Sequence, residues 1–101
     1  MYSIHIKEEA KQDTINATRW YRSKQEKLDI KFIEAVQYTL SSIQHNPFAY
    51  KKVHHHFRQA TLKKFPYIIL FEVEYNTVTV YAIFNTWQDV NKKMKRIHLK
   101  E

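Results

Sequence analysis

The chain has 101 residues, a net charge of +7 and 44% hydrophobic residues, so it is too apolar for a disordered protein and long enough for one folded domain, residues 1–101. The absence of cysteine excludes a disulfide framework and any thiolate metal site. The sequence has neither a signal-peptide-like apolar start nor an apolar run of membrane-spanning length, so we expect a cytoplasmic protein with no membrane partner.

The positive charge lies mainly in the second half of the chain. Residues 1–50 contain seven Lys or Arg against six Asp or Glu, whereas residues 51–101 contain ten against four. A basic surface of this kind attracts nucleic acid, an acidic protein or an anionic membrane, or it serves solubility only. Charge alone leaves these alternatives open.

The first half of the chain predicts a strand followed by two helices. Residues 2–7 alternate apolar and polar side chains, which is typical of a strand. From Glu8 the apolar period lengthens to three or four residues, and the first turn is acidic, as in an amphipathic helix. Asp29 is the expected N-cap of a second helix that ends before Pro47. The short link predicts an antiparallel helical hairpin, and the aromatic residues at helical spacing are expected in its core: Trp20, Tyr21 and Phe32.

The second half predicts three strands, at residues 58–64, 67–75 and 77–85. Pro66 cannot donate a ladder hydrogen bond and is expected at the start of the middle strand. The chain contains no glycine, so Asn76 is the expected turn residue before the last strand. The sequence therefore predicts an α+β fold in which an N-terminal strand and a helical hairpin pack on a three- to four-stranded antiparallel sheet.

The two faces of this sheet differ in their predicted environment. Tyr67, Ile69, Phe71 and Val73 lie on one side of the middle strand, which is uniformly apolar and should meet the helices. The opposite face is expected to remain open and to expose an apolar patch, which is typical of an interaction site. The residues expected in this patch are Ile68, Leu70, Tyr81 and Ile83.

The histidine run and the basic C-terminal segment are further candidate binding sites. On an extended segment His54 and His56 lie on the same side and flank His55, but two imidazoles lack the third ligand that zinc requires, so we expect no metal and no cofactor. Residues 91–100 form either a short helix that presents cations to an anionic partner or a solvated terminus. The cations concerned are Lys92, Lys93, Lys95 and Arg96.

Several short motifs occur in a recognisable order along almost the whole chain. They are A-x-x-D and W-Y in the first helix, I-x-x-N-P at the end of the second, a tyrosine, and then R-x-x-x-L-x-x-F-P-Y-x-I, at Ala10, Asp13, Trp20, Tyr21, Ile43, Asn46, Pro47, Tyr50, Arg58, Leu62, Phe65, Pro66, Tyr67 and Ile69. This pattern resembles the RelE/ParE superfamily of bacterial toxins. The resemblance implies a helical hairpin packed on an antiparallel sheet, and a basic toxin of a type II toxin–antitoxin module that is neutralised by an acidic, partly disordered antitoxin.

The sequence departs from this superfamily after the last strand. Many members have H-x-x-R-x-P there, whereas this chain has Asn85, Gln88 and Val90 at the corresponding positions. Members that cleave messenger RNA on the ribosome must supply proton transfer and a cation at the scissile phosphate, and a neutral amide transfers no proton at neutral pH. If the chain is a nuclease, its candidate catalytic residues are Arg58, Lys63, Lys64, Tyr81 and Asn85.

Arg58 has two interpretations. Strand alternation places Arg58 on the same face as Ala60 and Leu62, toward the core, so it either supports the fold through backbone carbonyls or reaches around the sheet to bind a phosphate.

The lost ionisable residues favour a ParE-like toxin, which the resemblance implies to inhibit DNA gyrase by binding. The antitoxin is then expected on the open sheet face, and the target on Arg58 and the C-terminal cations. The alternatives are a ribosome-dependent endoribonuclease that acts on messenger RNA, and an inactive member that binds antitoxin in a regulatory role.

Overall fold

The computed structural model describes residues 1–87 and residue 95. In chain order its elements are β1 (Ser3–Ile6), α1 (Glu8–Lys24), α2 (Leu28–His45), a 3₁₀ turn (Pro47–Ala49), β2 (Lys52–His54), β3 (Phe57–Thr61), β4 (Tyr67–Glu74) and β5 (Thr77–Asn85). The α+β class and the order strand, helix, helix, strands are confirmed. Neither helix in this part of the chain has the length and apolarity required to cross a bilayer.

The strands form one five-stranded mixed sheet in the order β1-β5-β4-β3-β2. β1 runs parallel to β5, and the other neighbouring strands are antiparallel. The predicted three- to four-stranded antiparallel sheet therefore had too few strands and the wrong direction for β1. β2 has three residues, which is too short to show an alternating pattern, and the pairing of β1 joins residues more than seventy positions apart.

The helical hairpin covers one face of the sheet around an aromatic core. Tyr21 and Phe32 are almost fully buried, and their rings pack against Phe65 and Tyr67 with centroid separations of 5.0–5.3 Å for the closest pairs. Burial, followed by the neighbouring Tyr67, raises the pKa of Tyr21. The prediction of a buried Trp20 was wrong, because its side chain points off the packed stripe of α1 and is 54% exposed.

An ion pair joins the two helices close to their connection. Arg22 Nε donates a hydrogen bond of 3.0 Å to Asp29 Oδ2, and this bond holds the pKa of the Asp29 carboxyl below its usual value. Asp29 is not the N-cap that the sequence predicted. α2 begins at Leu28, and its N-cap is Lys27, two residues before Asp29, in the left-handed region with φ of 69°.

A β-bulge in β5 changes which side chains face the helices. Leu70 pairs with Ala82 but Phe71 pairs with Val80, so Tyr81 is the extra residue of the bulge. Tyr81 and Ala82 consequently lie on the same side of the sheet, away from the helices, and Ile83 returns to the helix-facing core.

The face away from the helices carries a second apolar cluster that is itself buried. The cluster is formed by strand residues: Phe57, Ile68, Leu70, Tyr81, Ala82 and Phe84. The rings of Phe57 and Tyr81 pack edge to face at 4.9 Å, and the Lys7 ammonium lies 4.8 Å from the centroid of Tyr81.

The open apolar patch expected on this face was therefore wrong. Ile68, Leu70 and Tyr81 do lie there, but each is at most 7% exposed. Ile83 lies on the opposite face because strict alternation does not continue across the bulge. The predicted helix-facing side of β4 is correct, since Tyr67, Ile69 and Phe71 belong to the helix-facing core and Val73 packs against it.

The tight connections of this glycine-free chain use ordinary residues in the left-handed region. The described residues with positive φ are Lys27, His55, Lys64 and Tyr75, and each lies between two successive elements. At the β4–β5 turn the positive φ of 57° belongs to Tyr75 and not to the predicted Asn76. A left-handed conformation costs a residue with a Cβ atom about 1–2 kcal/mol, and asparagine tolerates it better than most.

Replacing Tyr75 with asparagine is expected to raise the free energy of unfolding by about 1 kcal/mol, since the ring is 94% exposed and makes little packing. Urea denaturation measures the change. Tyr75→Ala is the matched control, because it removes the ring without adding the short polar side chain that lets asparagine tolerate the left-handed region. Equal stability of the two variants would show that asparagine has no advantage over alanine at this turn.

Candidate functional site

Arg58 is held in the fold by a backbone carbonyl and an aromatic ring. Its Nη1 donates a hydrogen bond of 2.6 Å to the carbonyl oxygen of Tyr50, and its guanidinium carbon lies 5.0 Å from the centroid of Phe48. β3 presents it on the helix-facing side, as alternation predicted, with Ala60 buried on the same face. Of the two predicted roles, the structure displays the supporting contact, in which a half-buried guanidinium fixes the segment between the 3₁₀ turn and β2.

The other candidate catalytic residues lie in three separate places. Asn85 pairs with Tyr67 at one end of the sheet, and its Oδ1 accepts a hydrogen bond of 2.7 Å from the backbone N–H of Trp87, which closes an Asx turn. Tyr81 is buried on the face away from the helices, opposite the face that holds Arg58. The fold therefore does not bring Arg58, Asn85 and Tyr81 together around one phosphate.

Lys63 and Lys64 lie on the β3–β4 turn, beside α2. The Lys63 ammonium is 5.5 Å from the centroid of Tyr38, and Lys64 has φ of 67°. A groove of about 650 Å³ between this turn and α2 is lined by both lysines and by Lys31 and Glu34. These two lysines thus belong to a cationic surface that is distinct from the Arg58 contact.

The histidine run does not keep the extended geometry on which the predicted alternation depended. His54 ends β2, and His55 and His56 form the turn into β3, with φ of 48° at His55. Within residues 1–87 and 95, no group of three or more His, Asp or Glu residues is placed to hold a metal ion.

Of the predicted target-binding cations in the tail, Lys95 is helical and exposed. Lys92, Lys93 and Arg96 lie outside the described residues.

An apolar groove of about 650 Å³, which we call the hairpin groove, is lined by both helices of the hairpin and by residues of β1 and β5. Its walls are mostly aliphatic: Ile6, Ile15, Ile33, Val36, Leu40 and Ile83. The cations that line it are Lys11, Arg19 and Arg22. Ile15 and Ile33 are 43% and 36% exposed, respectively, so they offer apolar surface to a partner. The sequence pattern did not predict this groove, although isoleucines beside the buried helical stripe were a usable signal.

A second groove, of about 400 Å³, lies between α1 and the end of β5 and is called here the tryptophan groove. It is lined by Asp13, Asn16, Ala17, Trp20, Tyr67, Ile83, Asn85 and Trp87. Trp20 and Trp87 are 54% and 83% exposed, respectively. Asp13 is fixed there because its Oδ2 accepts a hydrogen bond of 3.0 Å from the backbone N–H of Ile83. β1 pairs with β5 only as far as Val80. The Asp13 carboxylate therefore accepts a hydrogen bond from a part of the β5 edge that β1 does not cover.

Comparison with known proteins identifies the family. The family model described as the ParE toxin of the type II toxin–antitoxin system parDE matches residues 4–90. The chain belongs to the ParE toxin family. The family match also covers Asp13, Arg58 and Asn85. A search of curated proteins finds no significant match.

Solved structures with this fold include a chain of the chromosomal ParDE toxin–antitoxin system from P. aeruginosa, with a TM-score of 0.64 and 20% sequence identity. The match covers 84% of this chain and 96% of the P. aeruginosa chain. The isolated E. coli RelE toxin matches with a TM-score of 0.59 and 16% identity, covering 96% of this chain and 99% of RelE. At these identities the likeness concerns the fold. The predicted RelE/ParE superfamily membership is confirmed.

Arg58→Ala in this ParE-family protein is expected to lower the free energy of unfolding by about 1–3 kcal/mol, because the Tyr50 carbonyl loses a charge-assisted hydrogen bond. Urea denaturation measures it. Lys52→Ala is the control, since Lys52 is the exposed cross-strand partner of Arg58 and its loss is expected to change stability by no more than about 0.5 kcal/mol. Equal stability of the two variants would show that the Tyr50 contact is dispensable.

Proposed function

We propose that this ParE-family protein is a growth-inhibiting toxin that acts by binding DNA gyrase and is neutralised by a cognate acidic antitoxin. The observation that supports a binding mechanism is the local engagement of Arg58 and Asn85. Arg58 is bonded to the Tyr50 carbonyl and Asn85 to the Trp87 backbone, so both side chains at nuclease-type positions serve local structure.

RNA cleavage and target binding make different demands on the protein. Cleavage that uses the 2′-hydroxyl of the RNA requires an acid, a base and a cation within hydrogen-bond reach of one phosphate. The dispersed positions of Arg58, Asn85 and Tyr81 favour inhibition by binding, which requires complementary surface. The described surfaces open to a target are the tryptophan groove and the Lys63–Lys64 turn, and the sequence adds the C-terminal cations Lys92, Lys93, Lys95 and Arg96 as proposed target contacts. Arg58 contributes less to this surface because it is half-buried.

The hairpin groove is the proposed docking site for the antitoxin. A partly disordered acidic segment that folds into an amphipathic helix would place its apolar side on Ile15 and Ile33 and its carboxylates near Arg19. The burial of Ile68, Leu70 and Tyr81 on the sheet face supports this location over the one expected from sequence, because side chains exposed by 7% or less offer little surface to a partner.

Charge substitutions in the hairpin groove are expected to weaken antitoxin binding while the fold remains intact. Ile15→Glu and Ile33→Glu each place a carboxylate in an apolar wall and repel an acidic partner, so we expect at least a tenfold increase in Kd, corresponding to about 1.4 kcal/mol. Isothermal titration calorimetry measures the affinity, and circular dichroism checks the fold.

Ile30→Glu is the matched control for these variants. Ile30 is 53% exposed on the same helix as Ile33 but is not among the described residues that line the groove. An equal loss of affinity for all three variants would indicate a general charge effect. Weakened binding for Leu70→Ala with unchanged binding for Ile15→Glu and Ile33→Glu would instead favour the sheet face.

Expression of the protein without its antitoxin is expected to arrest growth and to block DNA supercoiling, and transcripts should show no new ends at ribosomal A-site codons. Purified toxin should inhibit gyrase supercoiling in vitro. Asn85→Ala is expected to change the inhibition little, since the amide contributes a hydrogen bond worth about 1 kcal/mol within its own turn.

Two other outcomes would contradict the proposed target. Codon-positioned cleavage in translating extracts, independent of gyrase, would establish the ribosome-dependent endoribonuclease. Antitoxin binding without any growth arrest would establish an inactive, regulatory member of the family.

A further inference from the structure

The groove between α2 and the β3–β4 turn, which we call the lysine groove, has a cationic lining. Its volume is about 650 Å³, and the charged residues that line it are Lys31, Glu34, Lys63 and Lys64, all of them exposed. Within the part of the chain that the structure describes, none of the three lysine side chains forms an ion pair or a hydrogen bond. Their charges are therefore available to an anionic partner.

The rest of the lining of the lysine groove is largely apolar. Leu28, Ala35 and Phe65 are half-buried and pack against the helix-facing core. Tyr38 is 60% exposed and adds an aromatic ring to the same groove. Apolar surface next to a few fixed polar groups is the composition of sites that hold an apolar side chain and orient its charged neighbours.

The turn that forms one wall of the lysine groove is held firmly against the core. The ring centroid of Phe65 lies 5.0 Å from that of Tyr21 and 5.3 Å from that of Phe32. The backbone N–H of Tyr67 donates a hydrogen bond of 2.8 Å to the Phe65 carbonyl. The groove is thus formed before a partner arrives, which reduces the entropy cost of binding.

These features fit an acidic peptide better than a nucleic acid. A phosphate backbone satisfies the lysines but leaves the apolar lining uncovered, and its regular row of charges is repelled by Glu34. Base stacking requires an open ring face, and the Lys63 ammonium already lies 5.5 Å from the ring centroid of Tyr38. That contact uses no acceptor, so the N–H donors of Lys63 can still bind a carboxylate.

We propose that the lysine groove binds an acidic peptide segment of the toxin's protein target. One apolar side chain of the segment occupies the groove, and the carboxylates on either side of it contact Lys31, Lys63 and Lys64. The inference rests on the proposed function, which gives the β3–β4 turn to a target, and it adds the chemistry that this surface recognises.

The binding test uses the peptide acetyl-Glu-Glu-Leu-Glu-Glu-amide, called here the leucine peptide, and follows the backbone amide signals of Tyr38 and Lys64 by NMR. We expect saturable shifts with a Kd of roughly 0.1–10 mM, because a short peptide makes few contacts. Acetyl-Gln-Gln-Leu-Gln-Gln-amide lacks the charge and is expected not to bind. Acetyl-Glu-Glu-Ser-Glu-Glu-amide lacks the apolar side chain and is expected to bind about threefold more weakly or worse. An oligothymidylate with four phosphates is also expected to bind more weakly than the leucine peptide.

Single substitutions locate the leucine peptide in the groove. Lys31→Gln and Lys63→Gln each remove one charge and are expected to weaken binding by about twofold or more. Lys64→Asn is expected to have a similar effect, and asparagine tolerates the φ of 67° at this position. Arg19→Gln is the matched control, because it removes an exposed charge from the hairpin groove and should leave the affinity unchanged.

The same proteins are assayed for inhibition of gyrase supercoiling. The double variant Lys31→Gln/Lys63→Gln should require about threefold more protein or more for half-inhibition. Undiminished inhibition by this variant would overturn the proposal, because the target would then not use the lysine groove. If the unmodified protein does not inhibit gyrase, the proposed target is wrong, and the peptide titration alone decides what the groove binds.

Four results of the titration would overturn the proposal. They are equal binding of the glutamate and glutamine peptides, oligothymidylate binding at least as tight as that of the leucine peptide, unchanged affinity in both Lys31→Gln and Lys63→Gln, and no saturable shift at about 10 mM leucine peptide. A loss of affinity in Arg19→Gln equal to that in Lys31→Gln would show a general effect of net charge and would exclude the lysine groove as the site.

Discussion

The bulge in β5 is the constraint on which the two grooves of this protein depend. One extra residue at Tyr81 reverses the alternation of the strand, so that Ile83 faces the helices and not the far side of the sheet. Ile83 then contributes to the walls of both the hairpin groove and the tryptophan groove. Its backbone N–H is satisfied by Asp13, which fixes α1 against the part of β5 that β1 does not cover. A single register shift therefore orients a residue that bonds to α1 and lines both grooves.

Two polar side chains that the sequence offers as catalytic candidates are engaged in local structure. Arg58 donates to the Tyr50 carbonyl and Asn85 accepts from the Trp87 N–H, so each is bonded to a backbone group nearby. A side chain bonded in this way lowers the free-energy cost of leaving a backbone group without a partner at a bend or a short strand. It can bind a substrate only if that bond breaks. Members of one fold can thus differ in mechanism because function depends on the chemistry of the site and not on the architecture.

The described grooves differ in the charge of the residues that line them. Cations line the hairpin groove and the β3–β4 turn, whereas the tryptophan groove has an acidic lining among its described residues. The net charge of +7 hides this difference, because it averages over the whole molecule.

The sequence by itself determined both helices, four of the five strands, the family and the inner side of β4. Periods of two and 3.6 residues locate strands and helices, the position of Pro66 before β4 follows from its missing N–H, and strand parity placed Arg58 on the helix-facing side. The substitution of Asn85 for an ionisable residue was also visible from the sequence. Only the tertiary structure decided the bulge, the parallel pairing of β1, the short β2, the left-handed turn at Tyr75, the exposure of Trp20 and the two grooves. These features depend on contacts between distant parts of the chain, such as the bond between Asp13 and Ile83 across seventy positions, and no local pattern of side chains encodes such contacts.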